Sequence, residues 1–519
     1  MKYEEKISNY LKEKCSESEP GCAIAIIKDD KLIYEKGYGL SNLEHNIPFT
    51  PKSMFYIASI SKQFTAYCIY LLEQEGLLSF DDSIRNFIPE LPVYDFDIKI
   101  KHLIHHASGL PDYLTILDIA DRSTEQSFNM KEIMELLLKL TELQFKPNER
   151  FQYSNTNYIL LAEIIERLTG KKLNEFASEN IFKPFKMNNT FFNTDKSKVI
   201  KNKADGYYLE EKEYKVYRSS FNLVGDGGIW SNIEDLSKWI IGLYEKNILK
   251  TQSKLMKFND DTINYYGLGQ FIGEYENYKI VHHGGFLNFY LSDLLNFPEE
   301  KLSILCLSNN IKFKPHRITR FIADQFIEKK PNMEFSLNVK NSEKYKNLIG
   351  FYSNPQSDNY IKIYEHEDKM YLCYKFDEVM LYTNSSKKIF NQSNNLKWKF
   401  EIIEDVSSNN QYQILLNDKN VDKIFCKIKS ETYQGKKLKE YTGRYENMKF
   451  NAFCELKLEN GKLIIQSHNS WNNSITLIDD DYFVYGANNL IFRRNKKNEI
   501  IGFMLNNPRA ENTVFYDRV

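Results

Sequence analysis

"FYIASISKQFTAYCIYLLEQEG", residues 55–76, sets Ser59 and Lys62 one helical turn apart at the mouth of an apolar helix. Phe64, Tyr67, Cys68, Leu71 and Leu72 recur at helical spacing, and Gly76 supplies a stop. A separation of three puts a hydroxyl and an amine on the same helix face. They are then either a nucleophile and its base or two polar residues at a helix start. Ser385 and Lys388 repeat the spacing, but in a polar stretch with no apolar helix behind it. A serine on the first turn of a buried helix lies beside backbone N–H groups and the positive end of the macrodipole, which favours a developing oxyanion.

Composition bounds the rest. At 519 residues and 42% hydrophobic content the chain is too long for one core and is expected to divide. With 69 basic and 70 acidic residues it has no overall field to attract nucleic acid or an anionic membrane, so neither is expected as a partner. The opening "MKYEEKISNYLKEKCSESEPGCAIAI" lacks the apolar core of a signal peptide, and no apolar stretch of about 18 residues follows, so a cytoplasmic protein is expected. The seven cysteines have no CxxC spacing and read as reduced core residues.

The runs "CAIAIIK" (22–28) and "KLIYEK" (31–36), joined by Asp29 and Asp30, predict a hairpin. Helical patterns follow near 59–75, 131–141 and 156–169, and strands return at "KIVHH" and "LSILCLSNN", so one sheet is expected from the two ends of a domain spanning 1–330. Beyond the polar stretch "EKKPNMEFSLNVKNSEK" alternating aromatic and polar residues predict antiparallel β structure. That region repeats: "NLIGFY" and "KEYTGRY" share a GxY core at Gly350/Tyr352 and Gly443/Tyr445, and "DKMYLCY" recurs as "GKLIIQS". Two small β-barrels, 331–434 and 435–519, are expected.

A serine nucleophile needs a partner that handles its proton. "ERFQYSNTNYILLAEIIERLTG" puts Tyr153 and Asn155 directly before an amphipathic helix: a phenol to relay protons and an amide to hold a lysine or a substrate carbonyl. YxN alone discriminates little, because Tyr275, Tyr345, Tyr352, Tyr382 and Tyr445 also begin one. "KIVHHGGFLNFYLSDLLNFP" adds a strand, two histidines and two glycines. Adjacent strand residues point to opposite faces, so His282 and His283 do not pair on one ion. Neither they nor His102, His105 and His106 have HExxH spacing, and neither metal nor another cofactor is expected. Glycines on a strand permit close backbone approach, so an N–H there can join that of Ser59 around an oxyanion.

SxxK, then YxN, then a His followed by xG on a strand resembles the serine β-lactamase and penicillin-binding protein superfamily, in its class C-like branch (peptidase family S12). "HLIHHASGLPDY" and "GDGGIWSNIEDLSKW" look like further landmarks, and the resemblance covers about residues 5–325. It implies an α+β fold, with an antiparallel sheet flanked by helices preceding the two barrels. It also implies roles: Ser59 the acylated nucleophile, Lys62 its amine partner, Tyr153 the phenolic acid/base, and Asn155 orienting Lys62 and the substrate amide. His283 would stand in for the usual third-motif cation, with Gly284 and Gly285 lining the strand and the Phe286 N–H completing the oxyanion hole. His282 also satisfies HxG, and His283 is preferred on the continuation "HGGFLNFY". Tyr113 would sit on the pocket rim. Phe289 departs from a usual glycine.

The superfamily includes β-lactamases, D,D-carboxypeptidases, esterases and D-amino-acid peptidases, and fold alone does not choose among them. A catalytic domain followed by two barrels resembles D-aminopeptidase, which implies short peptide or amide substrates with a free amine. Ester and β-lactam substrates are the alternatives, as is a non-catalytic binding or regulatory protein. The loop "SHNSWNNS" and the run Asp479–Asp481 offer either an acidic grip on an ammonium group or a solvated turn. The oligomeric state, a homodimer included, stays open.

Overall fold

In the computed structural model the described residues are 2–519 less 121, 123–126, 219–220, 329–334, 337–342, 355–359, 367, 375–376, 384–388, 391–397, 406–410, 419–420, 428–437, 468–471, 480, 486–487 and 508. They form two compact units: Met1–Tyr113 with Thr124–Lys329, and Leu114–Ser123 with Lys330–Val519.

The first unit is built on a six-stranded antiparallel sheet in the order Phe271–Tyr275, Tyr278–Leu287, Tyr290–Phe297, Leu302–Ser308, Cys22–Lys28, Lys31–Tyr38. The expected hairpin forms, with Asp29 and Asp30 both at positive φ as a tight two-residue turn requires. The two ends of the unit meet where Cys22 pairs with Ser308 and Lys28 with Leu302. Ile24, Ile26, Leu295, Ile304 and Cys306 pack on one face against Ile7 and Leu11 of the Lys2–Lys14 helix and Ile318 and Ile322 of the Pro315–Ala323 helix. Each such buried Ile or Leu contributes about 1.5–3 kcal/mol. Toward the other face, the Tyr244 hydroxyl of the Ile233–Glu245 helix lies 3.0 Å from Ser303 Oγ.

The Lys62–Gln74 helix lies deeper than its amphipathic pattern suggests, with nine of its thirteen residues buried, Lys62, Gln63 and Thr65 among them. It ends at Gly76, whose φ of +70° lets its N–H reach the Glu73 carbonyl while Leu77 N–H reaches Leu72. A helix so enclosed is a rigid base for whatever precedes it.

In the second unit eight strands, from Gly443–Asn447 to Ala510–Arg518, close into an antiparallel barrel, with Tyr445 opposite Arg518. Between Gly350 and Lys427 there is instead a seven-stranded antiparallel sheet. Its outer strands, Asp377–Met380 and Trp398–Asp405, do not pair with each other among the described residues. The GxY repeat has one structural meaning in both. Gly350 and Gly443 adopt φ of +146° and +144°, and Tyr352 and Tyr445, fully buried, donate to the carbonyls of Leu348 and Tyr441, each at 2.8 Å. Half of "SHNSWNNS", residues 468–471, lies outside the described residues, as does Asp480. Asp481 is already engaged: Arg494 Nε and Nη2 donate to its carboxylate at 2.8 Å, and the Tyr441 hydroxyl donates at 3.0 Å. Among the described residues no helix is long and apolar enough to cross a membrane.

Candidate active site

Ser59 lies in a 3-10 turn, Ala58–Ser61, that leads into the helix beginning at Lys62. Ala58 has φ +49°, a left-handed conformation that costs a non-glycine residue about 1–2 kcal/mol. The bend leaves Ser59 half-buried while Ile57, Ala58, Ile60 and Ser61 are buried around it. Ser61 is no rival nucleophile, since it is fully buried and its Oγ accepts the Ile229 N–H at 3.3 Å.

Lys62 is fully buried. Its Nζ donates to Ser59 Oγ at 3.2 Å, Asn155 Oδ1 at 2.8 Å and the Asp226 carbonyl at 2.6 Å. Three acceptors match the three N–H donors of an ammonium group. The Tyr153 and Tyr158 rings lie 4.9 and 5.6 Å from the same nitrogen, within cation–π range.

Tyr153 and Asn155 are held by the start of the Asn155–Thr169 helix. The Asp112 carboxylate accepts the Asn155 N–H at 2.6 Å, Thr156 Oγ1 donates to the Pro111 carbonyl, and the Tyr113 N–H donates to Thr156 Oγ1. "SGLPDY" therefore clamps the helix end that presents Asn155. His106 Nδ1 accepts the Ser154 N–H at 3.2 Å, and its ring lies 4.3 Å from that of Tyr153. The neighbouring histidines are structural. His105 Nδ1 donates to the Tyr266 carbonyl, His102 Nδ1 accepts the Lys99 N–H, and burial pushes both pKa values down to about 4. Among the described residues no three His, Cys, Asp or Glu side chains form a group able to hold a metal ion.

The third motif lies on the Tyr278–Leu287 strand. His283 is buried, its ring 6.0 Å from Tyr153, with Nδ1 donating to the Gly284 carbonyl and Nε2 accepting from the Tyr266 hydroxyl at 3.0 Å. His282 faces the other way, toward Arg320 and His316, as strand alternation demands. Gly284 is exposed, whereas Gly285 touches the nucleophile bend. A Cβ there would lie 2.3 Å from Ser292 Oγ, 2.6 Å from the Ile57 carbonyl and 3.1 Å from Ala58 Cβ. Phe286, next along, is 59% exposed. Gly285→Ala is expected to push strand and bend apart and to slow acylation of Ser59 about 100-fold or more, with the fold kept. Fluorophosphonate labelling rates check this, and a wild-type rate would mean the strand does not set the geometry.

Tyr113 requires a correction. It is not on a rim but fully buried, and its hydroxyl donates to Asp226 Oδ2 at 3.0 Å. Asp226 was missed in the sequence although "GDGG" was in view. It sits in a turn sewn to the nucleophile helix: Thr65 Oγ1 donates to the Gly225 carbonyl, Lys62 to the Asp226 carbonyl, and the Gly228 N–H to the Tyr56 hydroxyl. Gly225 has φ +118°, and a Cβ there would lie 2.5 Å from the Tyr158 carbonyl, so only glycine lets the turn come this close.

Comparison with known proteins bears mainly on this unit. The family model described as Beta-lactamase matches residues 5–326. "Penicillin-binding protein 4*" of Bacillus subtilis strain 168 is 32% identical over 300 residues, 54% of this chain and 65% of its own length. "Protein flp" of Staphylococcus aureus strain MW2 is 29% identical over 310 residues, 57% and 61% respectively. The matches thus span less than two thirds of these relatives. Among solved structures, the octameric penicillin-binding protein homologue from Pyrococcus abyssi aligns with a TM-score of 0.58 at 24% identity, over 81% of this chain and 99% of that one. The D-amino acid amidase from Ochrobactrum anthropi SV3 aligns with a TM-score of 0.53 at 22% identity, over 63% and 99%. At such identities the likeness is one of fold.

Proposed function

The chain belongs to the Beta-lactamase family, and from that premise we propose that it is a serine hydrolase working through an acyl-enzyme on Ser59, with short peptides or amides bearing a free amine as its substrates. The observation that carries this reading is the Lys62 ammonium, fully buried and held at once by Ser59 Oγ, Asn155 Oδ1 and the Asp226 carbonyl. A fully buried amine whose hydrogen bonds converge on a candidate nucleophile is the kind of arrangement that clusters at functional sites.

In this mechanism Tyr153 enters as a phenolate, its ring 4.9 Å from the Lys62 ammonium, and Ser59 Oγ attacks the substrate carbonyl carbon as its proton passes to that phenolate oxygen. The tetrahedral oxyanion takes hydrogen bonds from the N–H groups of Ser59 and Phe286. It collapses as the C–N bond breaks, and the proton moves from Tyr153 to the departing amine. A water molecule then repeats the sequence on the ester and frees Ser59. Asn155 holds Lys62 and the substrate amide, and His283 with Gly284 and Gly285 forms the strand along which the substrate lies. The likeness to the D-amino acid amidase is one of fold and does not by itself choose an amide over an ester or a β-lactam. The Asp481 carboxylate, committed to Arg494, does not supply the grip on a free amine.

A panel tests the reading: D-Ala, L-Ala and D-Ala-D-Ala p-nitroanilides, p-nitrophenyl butyrate and nitrocefin. We expect the D-Ala anilide to be cleaved at least about tenfold faster than its L isomer, and nitrocefin slowly, a tenfold ratio being about 1.4 kcal/mol of transition-state discrimination. Faster turnover of nitrocefin, or of the ester alone, would move the protein to the β-lactamases or esterases. Absence of any fluorophosphonate adduct would favour a binding role.

A further inference from the structure

We propose that Asp226 is a positioning residue: its buried carboxylate is the counter-charge that keeps the Lys62 ammonium beside Ser59, and its ionisation sets the acid side of the pH–rate profile. The proposal rests on the acyl-enzyme reading above.

The geometry begins with a surplus of positive charge. Among the described residues Lys62 has no carboxylate within ion-pair distance, and its three hydrogen bonds end on a hydroxyl, an amide and a main-chain carbonyl. A fully buried ammonium needs compensating charge. The residue that lends the carbonyl lends the charge as well, because the Asp226 side chain is 4% exposed and interacts electrostatically with Lys62. The groups facing it are few. Lys62 comes from the nucleophile helix and Tyr113 from "SGLPDY", donating to Oδ2. Asp112 adds a second negative charge nearby, and Tyr56 lies under the same turn. Oδ1 meets no donor from another residue among the described residues.

This is a poor site for a carboxylate judged by stability alone. Burial is the largest influence and raises its pKa from 3.8 to about 6, against the opposing pull of Lys62 and of the Tyr113 hydrogen bond. A carboxyl whose pKa is raised on folding stabilises the native state in its protonated form. That contribution is complete below pH 3.8 and is lost as pH rises through about 6. At neutral pH the protein therefore carries a charge that weakens its fold, next to the amine its proposed chemistry uses. Such an arrangement is characteristic of a functional group.

Asp226→Asn separates the two roles, because the amide keeps an acceptor for Tyr113 and removes only the charge. Expected results are a higher melting temperature than wild type above about pH 6, a gain that vanishes below about pH 4, and acylation of Ser59 by a fluorophosphonate slowed at least about tenfold at pH 7. In wild type the acylation rate should fall on the acid side with a midpoint near 6, and in Asp226→Asn this limb should be absent. Tyr113→Phe, which removes the one side-chain hydrogen bond to the carboxylate, should move the midpoint upward in pH. A merely structural Asp226 would leave the limb in place. Acylation of Asp226→Asn at the wild-type rate, with the same limb, overturns the proposal while the acyl-enzyme reading stands. A wild-type protein that forms no adduct at any pH overturns that reading and this inference with it.

Discussion

Ser59→Ala is expected to remove acyl transfer to every substrate, by about four to six orders of magnitude in kcat, and to leave the fold intact. The size follows from what remains: oxyanion donors and binding residues alone retain about 10³–10⁴-fold over water in enzymes of this logic. The harmlessness to folding follows from position. Ser59 is half-buried, its turn is held by the buried Ile57, Ala58, Ile60 and Ser61, and its hydroxyl accepts a 3.2 Å hydrogen bond from Lys62. Losing it changes stability by about 1 kcal/mol or less. Mass spectrometry after fluorophosphonate treatment should find an adduct on wild type and none on the variant, with superimposable circular dichroism. Turnover above about a thousandth of wild type would hand the chemistry to another group.

How far the sequence reaches is seen in which interactions are local. Ser59 and Lys62 are three apart, so a single turn puts them together, and the GxY repeat closes on a carbonyl four residues back. Periodicity and turn residues report such features well. The pairing of Cys22–Lys28 with Leu302–Ser308 was legible too, because apolar runs at both ends of one domain need each other to cover their edges. Asp226 was not legible. Its meaning arises from Lys62, Tyr113 and Tyr56, each more than a hundred positions away, and nothing around "GDGG" says that an aspartate there is buried. Tyr113 failed likewise: motif order placed it near the pocket, but only packing decides that its ring lies beneath. The run at Asp479–Asp481 left a grip on an ammonium group and a solvated turn both open, and the structure adds what neither reading held: Arg494, from a neighbouring strand, takes Asp481.

Lys62→Met should match Ser59→Ala within about tenfold, and the double variant should be no worse than either alone. Methionine nearly fills the space of the lysine stem but leaves Ser59 Oγ, Asn155 Oδ1 and the Asp226 carbonyl without their shared donor, so the nucleophile, its amide and the "GDGG" turn lose their common tether. Groups that act as one unit lose the whole rate when either is removed, and this is why additivity of the two losses would count against the pair. Stability supplies a second, independent reading. Lys62 lowers the pKa of Asp226, so its removal should leave that carboxyl holding its proton to higher pH. Adding Asp226→Asn should then raise the melting temperature more in the Lys62→Met background than in wild type, measured above the pH at which the carboxyl finally ionises. Equal gains in the two backgrounds would mean that ammonium and carboxylate do not sense each other, and the buried charge pair would have to be abandoned even if Ser59 is acylated as expected.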